Sequence, residues 1–260
     1  MPWKTIVRSV IGTSHLQQQL PCQDFGGDLI LGDVLIGAVA DGAGSAAHSD
    51  IGAKLAVRIV LEYLTLTEAW LQKRQQSWRS LPHPPAQDLT KKLFTKIVTK
   101  VNLGLRKQAE SSGYSVDDLA CTLLIFLATP HWVAAMQIGD GFIVVRSKRK
   151  DYQLLFQPDK GEYANQTTFV TSASALAEMQ ICILPSHPTF ICASTDALER
   201  VAIRMSDWTA FSPFFKPFEE YLVETPHPEK DDEYLISFLE SDRLNSRTDD
   251  DKTLLLGLYS

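Results

Sequence analysis

Four aspartates stand where apolar segments of this sequence end or begin. They are Asp41 beside 34–40, Asp140 beside 132–138, Asp196 beside 190–193 and Asp250 beside 253–258. One such aspartate would carry little information, because Asp favours turns and is common at strand ends. Three of the four also stand beside small or turn-forming residues. The repetition predicts acids gathered along one rim of a sheet.

Carboxylates gathered on one rim repel one another and need compensation. Two unit charges about 4 Å apart repel by roughly 4 kcal/mol at an effective dielectric constant near 20. Hard divalent cations offset this repulsion. A set of oxygen ligands without paired His or Cys favours Mg²⁺ or Mn²⁺ over zinc.

The elements that must position these acids are predicted from hydrophobic periodicity. Predicted strands cover 3–10, 34–40, 121–128, 132–138, 142–146, 152–156, 190–193 and 253–258. Predicted helices cover 51–64, 89–105, a segment after Leu198, 217–223 and 231–239. We interpret the Pro-containing segment 73–88 as a surface loop. Helices in two blocks around consecutive strands indicate an α+β architecture, and we expect a single domain over 1–260.

Composition excludes several classes of protein. The 260 residues include 25 Lys+Arg and 31 Asp+Glu, a net charge of −6 that argues against an extended nucleic-acid-binding surface. The hydrophobic share of 45% excludes disorder as the main state. No stretch approaches the roughly 20 apolar residues that span a bilayer, and no export signal is recognisable. Four isolated cysteines (Cys22, Cys121, Cys182 and Cys192) are typical of reduced thiols, so we expect a cytoplasmic protein without a membrane partner.

Other motifs in the segment 42–54 are weaker indications. Residues 42–47 have the form G-x-G-x-x-A after a strand, as in a nicotinamide-dependent oxidoreductase. Asp41 would then stand where a pyrophosphate approaches, and repeated βαβ units are missing, so this hypothesis is disfavoured. Lys54 follows no G-K-[ST] motif. The letters His48-Ser49-Asp50 do not indicate a triad, because triad members converge in space from distant positions.

Eight short motifs run through the chain in order. They are Gly12-Thr13-Ser14-His15, Pro21-Cys22-Gln23-Asp24, Ala40-Asp41-Gly42-Ala43-Gly44, 118–124 (DLACTLL), 137–141 (QIGDG), 161–169 (GEYANQTTF), 194–198 (STDAL) and 249–254 (DDDKTL). Together they resemble the type 2C metal-dependent protein phosphatases, specifically the bacterial branch. The resemblance implies an αββα sandwich, with two antiparallel sheets face to face, helices outside, and a dinuclear metal site at one sheet edge.

The resemblance also implies roles for individual residues. It assigns Asp41 as the carboxylate bridging two metals, Gly42 as a ligand through its backbone carbonyl, Asp196 and Asp250 as further ligands, Asp140 as a ligand of a weaker third metal shared with Asp196, and Asp24 as an acid acting through water. The implied reaction is hydrolysis of phosphoserine or phosphothreonine monoesters in a protein, with two or three Mn²⁺ or Mg²⁺ ions. A water bridging two such cations loses its proton near neutral pH and attacks phosphorus in line. Asp41, Asp196 and Asp24 are the implied catalytic residues, and a Ser/Thr kinase is the implied opposing partner.

Departures from the family pattern keep an alternative open. Gln23 replaces a frequent Glu, Ala43 stands where a His often follows the Asp-Gly pair, and the expected phosphate-binding Arg is absent. His15 is the nearest polar substitute for contact with the substrate phosphate, with Arg8 further upstream. The alternative is a pseudophosphatase that binds phosphoproteins on the same fold. We favour the enzyme because all four ligand carboxylates are intact.

Other polar residues of the motifs receive weaker assignments. In the segment 161–169, the resemblance assigns substrate contacts to Glu162, Asn165 and Thr168. Asp249 and Asp251 are interpreted as turn or cap acids, with a water-mediated metal contact as the alternative for Asp251.

Overall fold

Two five-stranded antiparallel sheets lie face to face at the centre of the protein. The computed structural model describes residues 3–148, 150–157 and 167–259. The strands are β1 (Trp3–Val10), β2 (Phe25–Leu31), β3 (Val34–Ala40), β4 (Leu123–Ala128), β5 (Trp132–Ile138), β6 (Phe142–Ser147), β7 (Tyr152–Leu154), β8 (Gln180–Pro185), β9 (Pro188–Ser194), β10 (Ile203–Arg204), β11 (Thr209–Ala210) and β12 (Lys252–Tyr259). One sheet has the order β1-β12-β9-β6-β7 and the other β2-β3-β4-β5-β8, while β10 and β11 form a separate short pair.

Helices cover the outer face of each sheet. They are α1 (Thr13–Gln18), α2 (Ser49–Lys73), α3 (Gln87–Ser112), α4 (Ala175–Glu178), α5 (Glu199–Ala202), α6 (Ser212–Glu224), α7 (Glu233–Leu239) and α8 (Asp242–Asn245), with 3₁₀ turns at Trp78–Ser80, Val116–Leu119 and Asp196–Leu198. Val60 and Phe94 are in the core between α2, α3 and the β2-to-β8 sheet. Phe215 and Leu235 bring α6 and α7 onto the other sheet. Within the described ranges, none of the helices combines the length and apolar character that a bilayer crossing requires.

Alternation along β3 shows how the sequence produces these layers. Ile36 belongs to the core shared with α2 and α3, whereas Leu35 and Val39 belong to the core between the sheets. Because both faces of the strand are covered, its sequence is apolar throughout. Gly37 leaves space between the sheets, since a Cβ there would lie 2.3 Å from the Phe126 ring.

The two antiparallel sheets with outer helices confirm the predicted α+β class and the αββα arrangement. The prediction of eight strands missed the two-residue strands β10 and β11, and also β2 and β8. β2 and β8 are the edge strands of one sheet and are mostly half-buried. The sequence of β2 also contains Gly26, Gly27 and Asp28, which interrupt any apolar alternation. The strand predicted over 121–128 begins at Leu123, because Cys121 instead forms an isolated bridge with Gly42.

Candidate metal centre

Three aspartates from both sheets meet at one edge of the sandwich. Carboxylate oxygens of Asp41, Asp140 and Asp196 lie within 4.8 Å of one another. Asp41 follows β3, Asp140 comes shortly after β5, and Asp196 begins the 3₁₀ turn after β9. The sheet edge therefore brings together three of the four acids predicted to share a rim. Asp250 lies outside this group of three, on the segment that leads into β12.

Backbone hydrogen bonds fix the position of Asp41. Its N–H donates to Oγ1 of Thr122 at 2.9 Å, and its carbonyl accepts from the N–H of Thr122 at 2.8 Å. The next residue, Gly42, donates its N–H to the carbonyl of Gln23 at 3.2 Å. A Cβ on Gly42 would lie 2.7 Å from that carbonyl oxygen, so only glycine permits this approach. The segment that carries Asp24 is thereby held against the end of β3.

Asp24 is buried beneath the rim, with 5% of its surface exposed. The hydroxyl of Thr195 donates to its Oδ2 at 2.8 Å, and the N–H of Thr253 donates to the same hydroxyl oxygen at 3.1 Å. A single threonine thus connects Asp24 to the ends of β9 and β12.

Asp251 is the acid whose structural role the sequence did not predict. The sequence indicates a turn acid at this position, yet the side chain is only 2% exposed. Its carboxylate accepts from the N–H of Gly12 at 2.6 Å and from the N–H of Gln23 at 2.5 Å. The neighbouring carboxylate of Asp250 accepts from the N–H of Asp251 at 2.8 Å. The sequence Asp249-Asp250-Asp251 does not indicate which of the three side chains is buried, because their burial depends on where β12 begins.

His15 lies against Asp251 and is not part of the group of three carboxylates. Its Nδ1 is 2.8 Å from Oδ2 of Asp251, and 12% of its side chain is exposed. Since a carboxylate only accepts, Nδ1 carries the hydrogen, and Nε2 is the nitrogen that remains for another contact. Arg8, the other cation considered for phosphate, instead pairs with Asp232 at 2.5 Å.

Burial and mutual repulsion raise the pKa values of the acids at the rim, so their carboxyl groups hold protons more tightly than free ones. Burial, followed by the charge of Asp251, raises the pKa of Asp24 to about 8, although the Thr195 hydroxyl lowers it. Burial, followed by the charge of Asp24, raises the pKa of Asp41 well above its usual range. Burial, followed by the charge of Asp140, raises the pKa of Asp196 to about 6. The same two causes, burial and then the charge of Asp196, raise the pKa of Glu199 to about 7. A cation that replaces these protons removes the repulsion between the carboxylates, so the rim favours cation binding.

The available donors fit hard divalent cations. All three side chains that converge within 4.8 Å are carboxylates, with no His or Cys among them. In addition, Oε1 of the buried Gln23 has no hydrogen-bond partner among the described residues. A buried amide oxygen without a partner costs free energy unless water or an ion supplies one. Oxygen ligands of this kind suit Mg²⁺ or Mn²⁺.

The described end of the predicted substrate-contact segment 161–169 contacts the rim. The hydroxyl of Thr167 donates to Oδ2 of Asp140 at 2.5 Å, and the hydroxyl of Thr168 donates to Glu178. Glu162 and Asn165, the other two residues predicted to contact the substrate, lie outside the described residues. The role of Thr168 stays a prediction.

Comparison with known proteins decides the family. A family model described as Protein phosphatase 2C matches residues 11–240. The chain belongs to the protein phosphatase 2C family. It is 36% identical to Serine/threonine-protein phosphatase 3 of Escherichia coli strain K12 over 267 aligned residues, with both chains covered completely.

Solved structures share the fold of this phosphatase at low sequence identity. The S. agalactiae serine/threonine phosphatase has a TM-score of 0.63 at 14% identity, covering 99% of this chain and 100% of that one. RsbX in complex with magnesium has a TM-score of 0.58 at 14% identity, covering 100% of this chain and 96% of that one. These structural similarities confirm the fold of the phosphatase. The family model and the Escherichia coli relative show that it belongs to the family.

Proposed function

We propose that this 2C phosphatase hydrolyses phosphoserine and phosphothreonine in a substrate protein and uses two or three Mn²⁺ or Mg²⁺ ions. The observation that carries the proposal is the convergence of Asp41, Asp140 and Asp196 carboxylate oxygens within 4.8 Å. In the proposal, Asp41, the backbone carbonyl of Gly42, and Asp196 hold the ions. Asp250 is a further direct ligand, and the exposed Asp140 shares a weaker third metal with Asp196.

Bound cations supply an activated water nucleophile and neutralise charge on the phosphate. The residues of the chain have separate tasks. Asp24, anchored by Thr195, orients water at the rim from below. The Nε2 side of His15 is available to the phosphate, since Nδ1 is bound to Asp251. Residues 1–260 act as one domain in this reaction, supported by a core between the sheets that includes Trp3, Leu124 and Leu255.

Phosphate release from a phosphothreonine peptide tests this function. We expect release by the wild-type protein with Mn²⁺, none after chelation, and a loss of at least about a hundredfold in Asp41→Asn. Asp88→Asn, an exposed acid in the first turn of α3, is the matched control and should retain full activity. Hydrolysis that persists in chelator or in Asp41→Asn would contradict the mechanism.

The pseudophosphatase remains the second candidate because of Ala43 and Gln23. Titration calorimetry separates it from the enzyme. The enzyme should take up at least two Mn²⁺ per chain, whereas a pseudophosphatase would bind the phosphopeptide with less than one metal per chain and release no phosphate. An opposing Ser/Thr kinase is part of the proposal as the source of the phosphorylated substrate.

A further inference from the structure

A groove runs between α2 and α3 on the outer surface, away from the acidic rim. It has a volume of 290 Å³, and Ile59, Tyr63, Leu66, Lys100, Leu103 and Lys107 line it. α2 begins at Ser49, beside Gly42 of the rim, and the groove starts about three turns later, at Ile59. At 1.5 Å per residue this places the groove about 15–25 Å along the helix from the metal centre. The groove therefore lies outside the proposed site of hydrolysis.

The two walls of the groove differ in chemistry. On α2, Ile59, Tyr63 and Leu66 follow one another at helical spacing, and Leu66 is 62% exposed. On α3, Lys100 and Lys107 flank Leu103, which is 46% exposed. The α2 wall therefore combines three apolar side chains with one acid, Glu62, and the α3 wall carries two cations beside Leu103. Two exposed leucines facing one groove exceed what the packing of α2 against α3 requires.

A glycine deepens the groove floor. Gly104 lies inside α3, where glycine costs about 1 kcal/mol relative to alanine. A Cβ at this position would lie 2.3 Å from Cδ1 of Ile59. The missing side chain lets Ile59 approach α3, and both residues line the groove together with Leu66 and Leu103. A concave site accepts an inserted side chain, as in complexes where a helix lies in a groove.

The charge of α3 opposes that of the whole protein. α3 has six cations and two acids (Lys91, Lys92, Lys96, Lys100, Arg106 and Lys107 against Asp88 and Glu110), while the chain has a net charge of −6. A local cationic surface on an acidic protein attracts an acidic partner and repels cationic ones. Of these cations, Lys100 and Lys107 line the groove, with one acid, Glu62, on the opposite wall, so an acidic partner sets its carboxylates on the α3 side. The concave shape disfavours a flat bilayer.

We propose that this groove binds an acidic amphipathic helix of a partner protein. The helix inserts an apolar side chain between Leu66 and Leu103 and sets its carboxylates against Lys100 and Lys107. This surface is independent of the metal centre, so the partner docks without occupying the site of hydrolysis.

A labelled acidic peptide is the probe for this surface. It has about 18 residues, with Leu at i, i+3, i+4 and i+7 and Glu on the adjoining face. Fluorescence anisotropy should show binding with a Kd below about 1 mM. Leu66→Ser with Leu103→Ser should weaken binding at least about tenfold, and so should Lys100→Glu with Lys107→Glu. Lys216→Glu on α6, where the lysine is 71% exposed, is the control and should bind like the wild type.

Further measurements distinguish the acidic helix from a membrane or a second copy of the chain as the occupant of the groove. The Lys100→Glu, Lys107→Glu protein should regain binding to a peptide with Lys in place of Glu. All variants should hydrolyse a small phosphopeptide at the wild-type rate, so a failure of docking is separable from a failure of the proposed function.

Lack of peptide binding, or equal binding of the acidic and the Lys-containing peptide by the wild-type protein, overturns the proposal. Binding to phosphatidylserine vesicles that depends on Leu66, without peptide binding, points to a membrane and overturns it. A dimer in sedimentation that Leu66→Ser dissociates points to a second copy of the chain, and also overturns it.

Discussion

The Nδ1 atom of His15 lies 2.8 Å from the buried Oδ2 of Asp251. The same carboxylate accepts the N–H of Gly12 and the N–H of Gln23. One side chain therefore joins the turn after β1, the segment that leads to Asp24, and the start of β12. Because Gln23 precedes Asp24 and Asp251 follows Asp250, this junction sets the spacing of two acids proposed to serve the metals.

Replacing Asp251 tests this junction. In Asp251→Asn the side chain keeps its shape but loses its charge, and one of its two acceptor oxygens becomes a donor facing an N–H. We expect a loss of about 2–4 kcal/mol in the free energy of unfolding, since buried hydrogen bonds to a charged group are removed. Urea denaturation measures it. Asp249→Asn, at an exposed neighbour, should change stability by less than about 0.5 kcal/mol. Similar losses in both variants would refute the special role of Asp251.

Two substitutions at His15 separate its structural role from a phosphate contact. The amide N–H of His15→Asn can replace Nδ1–H toward Asp251, whereas His15→Ala removes it. We expect His15→Ala to lose about 1–3 kcal/mol of stability and His15→Asn to lose less than half of that. Because both lack Nε2, kcat/KM for a phosphopeptide should fall at least about tenfold in both. Wild-type kcat/KM in His15→Asn would mean that the histidine only supports the loop.

The acids at strand ends could be predicted from the sequence, but the buried junction of Asp251 with Gly12 and Gln23 could not. Asp41 and Asp140 come directly after or close behind continuous apolar segments, which is a local signal. Asp251 is buried only because β12 begins at the next residue and its neighbours Gly12 and Gln23 come from the other end of the chain. Contacts between residues about 230 positions apart leave no periodicity in one sequence.

The two edge strands of the β2-to-β8 sheet were the weak point of the fold prediction. Central strands such as β4 are covered on both faces and are apolar throughout, whereas β2 and β8 are half-buried and contain polar or small residues. In β2, Gly26 is required by packing, since a Cβ there would lie 2.5 Å from Cγ2 of Val7. A residue selected for this close contact lowers the apparent β-propensity of the strand that contains it.

Stability should depend on pH in the metal-free protein. Burial first, and then neighbouring charges, raises the pKa of Asp24 to about 8 and that of Asp196 to about 6. Because the folded state binds these protons more tightly than the unfolded state, whose Asp pKa is about 3.9, stability is greatest below about pH 4 for this contribution and falls as pH rises to about 8. In chelator we expect a loss on the order of 3 kcal/mol between about pH 5 and pH 8, measured by urea denaturation.

Saturating Mn²⁺ and one substitution provide the controls for this dependence. Cations compete with protons for the same oxygens, so Mn²⁺ should stabilise the protein more at about pH 8 than at about pH 5. Asp24→Asn removes the most strongly buried proton site and should flatten the slope, while Asp88→Asn should leave it unchanged. An apo protein whose stability rises over this interval would show that the acids are not held protonated.

The contact between Gly12 and Asp250 gives the last prediction. A Cβ on Gly12 would lie 2.3 Å from the carbonyl carbon of Asp250, while a Cβ on Gly44, in the loop after Asp41, would meet no atom within 4 Å. Since backbone atoms cannot rotate away, Gly12→Ala should displace the start of β12, cost about 1–3 kcal/mol and weaken Mn²⁺ binding about tenfold. Gly44→Ala should change stability by less than about 0.5 kcal/mol and leave Mn²⁺ binding unchanged. Denaturation and calorimetry compare the two variants, and equal behaviour would show that the close approach of Gly12 does not position Asp250.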